Sequence, residues 1–461
     1  MLQAAVLEGK YDIVLEASGL FNNFVEEMEL TKTGKNAKEF IGKTAVDFLS
    51  LRKRTNPFHV DIERIYEKLS EDKSGMTELQ WGTCNDDAEH SVELVVNNGV
   101  DINASGSDND YTALLQASRS SSSQFIETLI DLGADVNAQR RESKETPLIL
   151  AADWNNYMAA SLIVRHGADV NVQISNGITP LHLSVKKNHE NLIKLLLANK
   201  VDVNTQDNFN STPLFVSVQR NDENLVRLLL EHNGDVNMKS VLGYTPLQLC
   251  AREGNENLCT LLLEHNADVN IQDEDGSTPL HWCARGGNEN LSISLLERNA
   301  DVNIQDNDGY TPLHYFARKG NENLCRLLLE HNADVNIQDN DGYTPLHLCA
   351  REGNENLCRL LLKHNADLNI QDNDHGYTPL HWCVTEGTPL HWRAREGNEN
   401  LCRLLLEHNA DVNVQGKDGS TLLHLCARGG NENLSVSLLE RNADVNIQDN
   451  DIWIYTLALL C

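Results

Sequence analysis

Seventeen histidines and eleven cysteines run through this 461-residue chain, enough imidazole and thiol to hold metal ions or supply nucleophiles. A structural zinc site needs four such ligands in closely spaced pairs, and a catalytic thiol needs a cation beside it to ionise. The spacing here argues for neither. Cys250, Cys283, Cys349, Cys383 and Cys426 each stand five residues after a recurring threonine, and Cys259, Cys325, Cys358 and Cys402 each stand fourteen after one. Seven histidines fall in a Thr-Pro-Leu-His slot or its variant, and His166, His232, His265, His331, His364 and His408 recur at the end of a second apolar segment. Groups that recur with a fold are expected to serve it. His281 and Cys283 are two apart on one predicted helix, so they point in different directions and do not chelate. Neither a nucleophile elbow nor a zinc-hydrolase signature is present in the sequence. Residues 42–44 read Gly-Lys-Thr, but a phosphate-binding loop needs a glycine five residues earlier, where Ala37 stands. The expectation is a protein that is no enzyme and needs neither cofactor nor metal.

The elements that place these groups follow from one period. Thr-Pro pairs begin at Thr146, Thr179, Thr212, Thr245, Thr278, Thr311 and Thr344, each 33 residues after the last. A unit that small cannot bury its apolar face alone and must stack on its neighbours. The copy from Asp341 to Asn369 shows why it folds. Asp341-Gly342 is a turn signal. Thr344 can cap a helix whose first position takes Pro345, where no N–H is needed. Leu346, Leu348, Cys349 and Ala350 make a short apolar helix that Gly353 ends. Asn354 opens a second helix with Leu357, Leu360, Leu361 and Leu362 at helical spacing. Asn365 then takes the left-handed position usually held by glycine. The cysteine slots face the core, where a thiol acts as a small apolar group.

The string D-x-x-G-x-T-P-L-H, the glycine-bounded short helix and the closing L-L-L-x-x-x-A-D-V-N resemble the ankyrin repeat over residues 77–461. The resemblance implies an all-α solenoid of paired antiparallel helices, with hairpin tips and inner helices lining a concave binding face. It also implies that the Thr and His of each T-P-L-H string hydrogen-bond within and between repeats, which makes His182, His281, His314, His347, His391 and His424 structural. A further implication is hydroxylation of Asn270, Asn303 and Asn336 by an asparaginyl hydroxylase.

Three stretches depart from the period. Residues 1–76 lack it and are expected to form a helical segment, with helices near 2–17, 36–52 and 58–70, either a cap or part of a truncated domain. The sequence G-T-P-L-H-W appears at Thr378 and again at Thr388, a partial duplication spanning 378–397. The second copy leads straight into the next helix, so it is expected to stack and the first to be displaced. The last repeat is truncated, and Trp453, Ile454, Leu457, Leu459 and Leu460 are apolar with no helix after them.

Repeats at 77–240 have diverged from one another, whereas those at 241–461 are near copies. A recently expanded, near-identical surface reads as not yet specialised. A specific partner is therefore expected on the diverged group, through Trp154, Tyr157 and Phe209, with Phe215 also unique to it; ordinary packing is the competing reading for these rings. Tyr244, Tyr310 and Tyr343 at the tips, and Arg318 and Arg351 on the inner helices, are the repeating candidates. Acidic residues outnumber basic ones 68 to 38. Residues 1–76 carry 13 acidic and 11 basic groups, so nearly all the excess lies in the array. This disfavours nucleic acid and anionic membranes, which need clustered Lys and Arg, and suits basic or extended protein partners. No apolar run approaches the ~20 residues of a membrane helix, and a thiol-rich, disulfide-free core fits the cytoplasm or nucleus. The functional expectation is a monomeric, non-catalytic interaction scaffold or adaptor. The alternative is the recognition module of a larger effector, such as a ubiquitin-ligase receptor or the cytosolic domain of a channel.

Overall fold

A computed structural model describes residues 101–105, 110–120, 123–384 and 394–450. The helices expected within 1–76, the repeat expected at Thr77, the second G-T-P-L-H-W from Thr388 and the apolar tail from Asp451 lie outside the described residues. Among the described residues there are twenty α-helices and no strand. Contacts divide the chain into two compact units, parted between Val216 and Ser217.

The first unit holds α1 (Ala113–Ser120), α2 (Ser123–Asp131), α3 (Pro147–Asp153), α4 (Tyr157–Arg165), α5 (Pro180–Lys187) and α6 (Glu190–Ala198). Helix α7 (Pro213–Gln219) spans the division. The second unit continues with α8 (Glu223–Glu231), α9 (Pro246–Glu253), α10 (Glu256–Glu264), α11 (Pro279–Gly286), α12 (Glu289–Leu296), α13 (Pro312–Lys319) and α14 (Glu322–Glu330). It closes with α15 (Pro345–Glu352), α16 (Glu355–Lys363), α17 (Pro379–Trp382), α18 (Ala394–Glu407), α19 (Leu422–Gly429) and α20 (Glu432–Glu440). Within each unit, first helices pack on first helices and second helices on second helices, which gives two layers. The core lies between them: Leu346, Cys349, Ala350, Cys358 and Leu361 are fully buried in one repeat, and the same slots are filled in the next.

Local chemistry sets the helix boundaries of the repeat at Thr344. Thr344 is extended at the start of α15, and its hydroxyl accepts the N–H of His347 while Pro345 takes the first helical position. Gly353 ends α15 in the left-handed region, and the Asn354 side chain caps α16 by accepting the Leu357 N–H. Second helices in the near copies end on a left-handed asparagine, Asn266, Asn299, Asn332 or Asn365, with φ of 61–63°. That is the substitution for glycine that the sequence indicates, since a short polar side chain tolerates this region.

Between repeats the units are bound by side-chain ladders. Asn270 Oδ1 accepts the Asp301 N–H at 2.8 Å, and Asn303 and Asn336 repeat this with Asp334 and Asp367. Gln305 and Gln338 each donate to the backbone carbonyl of the glutamine 33 residues on. At the tips, the Asn340 N–H donates to Asp308 O at 3.0 Å and the Asn373 N–H to Asp341 O at 2.7 Å. Gly342, at φ +84°, lets that neighbour approach: a Cβ there would lie 2.5 Å from the Asn373 nitrogen.

One expectation is corrected. Thr378, the copy expected to be displaced, begins a first helix that is stacked. Helix α17 packs on α15, and Leu380, His381 and Cys383 are buried. The reason is the tip that precedes it. Asp372 accepts the N–H groups of His375 and Gly376, and Tyr377 O meets His347, so the chain is already in register when it reaches Thr378. The ladders absorb the duplication by stepping further: Asn369 reaches Asp411, 42 residues on where the other rungs span 31 or 32, and Gln371 reaches Gln415, 44 on where others span 33.

Candidate protein-interaction face

The histidines of the T-P-L-H slot are absorbed by the fold. In α15 the Thr344 N–H donates to His347 Nδ1 at 3.0 Å, and His347 Nε2 lies 3.2 Å from the carbonyl of Tyr377 in the next repeat. A carbonyl only accepts, so Nε2 carries the hydrogen and the ring is neutral. His182, His281 and His314 make the same pair of contacts. Burial pushes His314, His347 and His381 down to about 4, because a charged imidazole there loses its water. Gln248 fills the same slot in α9: its Oε1 accepts the Thr245 N–H, and its Nε2 donates to Ser277 O at 2.7 Å. A side chain that never ionises does the same work, which is what a structural role requires. His166, His232, His265 and His408 turn Nδ1 onto the carbonyl four residues back, at 2.9–3.0 Å. His391 lies outside the described residues. The nine described cysteines are all buried and none is in a disulfide, and burial pushes Cys283 and Cys325 up to about 12. No cluster that could hold a metal ion occurs among the described residues.

What the fold leaves on its first-helix surface is a stripe of rings, guanidinium groups and carboxylates in the second unit. Trp282 stands edge-on to Tyr244 at 5.6 Å, and Arg252 lies over Tyr244 at 5.4 Å. Arg285 lies over both Trp282 and Tyr315, at 4.9 and 4.7 Å, and also reaches Asp306 at 3.2 Å. Tyr310 packs on Tyr315 at 5.1 Å, Tyr343 meets Trp382 at 5.5 Å, and Arg351 lies 5.9 Å over Trp382. Each tip aspartate fixes its turn with Oδ1 and turns Oδ2 towards the stripe. Trp282 Nε1, the Tyr315 hydroxyl and Trp382 Nε1 donate to Asp273, Asp306 and Asp372 at 2.8, 2.6 and 2.7 Å.

The structure thus joins Tyr244, Tyr310, Tyr343 and Arg351 into one stripe. Arg318 is exposed on α13 and acts electrostatically on Tyr310. Tyr343 is the most enclosed of these residues, at 8% exposure. Tip residue Asp339, at 4% exposure, turns inward as well. The first unit differs. Trp154 follows α3 at 53% exposure with Arg119 over its ring at 4.5 Å, Tyr157 opens α4 at 41%, and Phe209 sits on a tip at 66%. Phe215 is buried, so the packing reading holds for it. The reading of the sequence did not single out Trp282, Tyr315, Trp382 or Arg285. The signal was present: the fourth residue after each repeat threonine reads Leu249, Trp282, Tyr315, Leu348 and Trp382, a variable position inside near-identical copies.

Helix pairs stacked by hydrogen-bonded ladders define an all-α repeat solenoid. The family model for ankyrin repeats (3 copies) matches successive stretches from 79–174 to 385–449, together spanning most of the chain. The chain belongs to the ankyrin-repeat family. Ankyrin repeats are generally protein–protein interaction modules. No curated protein matches it. No helix among the described residues is long and apolar enough to cross a membrane.

Proposed function

We propose that this protein is a non-catalytic scaffold or adaptor that binds an extended, basic protein segment along the first-helix stripe of its second unit. The observation that carries the reading is the run from Tyr244 through Trp282, Arg285, Tyr315 and Tyr310 to Tyr343, Arg351 and Trp382. Tyrosine, tryptophan and arginine are the residues that dominate interface energetics, because rings bury area at little entropic cost. Preorganised by cation–π and carboxylate contacts, they lose little more freedom on binding. The formal charge of -30 favours a basic partner. The second unit is preferred over Trp154, Tyr157 and Phe209 because its rings recur through five successive repeats, at Tyr244, Trp282, Tyr315, Tyr343 and Trp382. The first-unit cluster keeps a secondary role, supported by Arg119 stacked on the exposed Trp154.

The test is affinity capture from native cells with the full chain. A variant carrying Tyr310→Ala, Arg318→Ala and Arg351→Ala should lose partners that the wild type and a Trp154→Ala, Tyr157→Ala, Phe209→Ala variant retain. Partners lost only from the first-unit variant would refute the assignment. Hydroxylation of Asn270, Asn303 and Asn336 belongs to the same proposal; intact-mass analysis of native protein with no added oxygen would remove it.

A further inference from the structure

Four tip aspartates of the second unit share one wiring, and one of them is incomplete. In Asp273, Asp306, Asp339 and Asp372 alike, Oδ1 accepts two backbone N–H groups of its own turn. Three of the four Oδ2 atoms then accept from an aromatic donor, Trp282, Tyr315 or Trp382. In the remaining repeat that position is Leu348, which has nothing to donate. Asp339 Oδ2 is buried without a hydrogen-bond partner, in a residue 4% exposed. Burial holds the Asp339 carboxyl at about 6, against the downward pull of the Tyr343 and Asp341 N–H groups and of the Tyr310 hydroxyl, which stands close by without reaching hydrogen-bond geometry at Oδ2.

We propose that this gap is an anchor subsite for an aromatic donor side chain, tryptophan or tyrosine, of the protein partner. Its N–H or O–H donates to Asp339 Oδ2 while its ring lies beside Tyr310 and Tyr343, as Trp282 and Tyr315 lie beside Tyr244 and Tyr310. The inference rests on the first-helix stripe being the binding face. A cationic side chain is the weaker occupant. Arg318 is in register with Arg285 and Arg428, which pair with Asp306 and Asp449 at 3.2 and 2.7 Å, yet Arg318 makes no ion pair with Asp339. A guanidinium tethered beside the carboxylate already declines it, so a free one gains no advantage. Arg285 is held in place by the Tyr315 hydroxyl as well, and Leu348 provides no such second partner. Arg351 is the residue that must give way. It spans the gap, since it reaches Trp382 and its charge acts on Tyr310 and Tyr343. Its ion pair with Glu352 is long, at 3.8 Å, and partly exposed, so displacing it costs little. Once moved, it can lie over the incoming ring as Arg285 lies over Trp282.

The experiment is an NMR titration of the full chain with N-acetyl-tryptophanamide and, as the ring without a donor, N-acetyl-phenylalaninamide. The tryptophan amide should shift residues around Asp339 and bind at least tenfold more tightly than the phenylalanine amide. Asp339→Asn, which keeps the turn acceptor but replaces Oδ2 with a donor, should abolish that preference. Leu348→Trp, and Leu348→Tyr as the copy of the Tyr315 rung, should fill the gap in cis, raise the melting temperature and block both amides. No binding to the wild type, equal binding of the two amides, or unchanged binding to both Leu348 variants would overturn the subsite. If partner capture depends on Tyr310, Arg318 and Arg351 but ignores Leu348→Trp, the subsite fails while the face stands. If capture ignores all of them, the face itself fails.

Discussion

The two units use the same helix pair for different ends. In the first, repeats have drifted, and the large exposed side chains Trp154, Tyr157, Met158 and Phe209 stand at helix ends and a tip, Trp154 alone of them stacked, through Arg119, towards Tyr111. In the second, near-identical copies place a ring, an arginine and a carboxylate at the same slots, and repetition fuses them into one braced stripe. Divergence leaves one ring-and-arginine cluster, Trp154, Arg119, Tyr111 and Arg140; repetition copies such clusters from repeat to repeat. The cost of repetition is that each added copy also adds a buried histidine, a tight tip and a carboxylate needing a donor.

Acid should expose that cost most strongly. His314, His347 and His381 titrate near 4 when folded against an unfolded value near 6.5, so the unfolded chain binds more protons between those limits. Stability is therefore intact above pH 6.5 and falls as pH drops towards 4, by roughly 2 kcal/mol per histidine at pH 5. Asp339, raised to about 6, works in the opposite sense and returns about 1 kcal/mol over the same interval. His281 and His424 add to the loss in the second unit, whereas among the described capping residues the first unit has only His182. Urea unfolding at pH 7 and pH 5 measures the difference. Replacing His314, His347 and His381 by Gln, on the pattern of Gln248, should flatten it while preserving the fold.

Left-handed glycines offer the next contrast, a crowded tip against an open helix end. Gly342→Ala meets both a positive φ and the Asn373 backbone, and should cost about 3 kcal/mol or more. Gly167→Ala, at the end of α4 and not at a tip, has φ +88° but nothing within 4 Å of a Cβ, so strain alone, about 1 kcal/mol, is expected. Equal melting temperatures for the two variants would break the account of close tip packing. Smaller again is the carboxylate effect. Trp282→Phe leaves Asp273 Oδ2 without its donor and should cost about 1–3 kcal/mol. Trp154→Phe, at an exposed ring, should stay within about 0.5 kcal/mol.

Much of this was legible in the sequence because one period dictates it. Thr-Pro marks most first helices, left-handed Gly or Asn marks most ends, and the cysteine slots face the core. The stripe was partly legible: Tyr244, Tyr310, Tyr343 and Arg351 were visible as repeating residues, but their partners were not. The bond from Trp282 to Asp273 spans a turn whose geometry sets which carboxylate oxygen points inward, and composition does not encode that. The duplicated strings at Thr378 and Thr388 are equally good first helices by pattern. What distinguishes them is the hydrogen-bonded tip around Asp372, a contact between repeats that no single string contains.

The most direct measurement is the affinity of a captured partner for the wild-type chain and for the Tyr310→Ala, Arg318→Ala, Arg351→Ala variant, with the first-unit triple variant alongside. Loss of at least tenfold on the second-unit stripe, about 1.4 kcal/mol or more, with less than threefold change for the first-unit variant, is the predicted result. Undiminished affinity in the stripe variant, with binding lost when Trp154, Tyr157 and Phe209 are replaced, would place recognition on the diverged repeats and contradict the account.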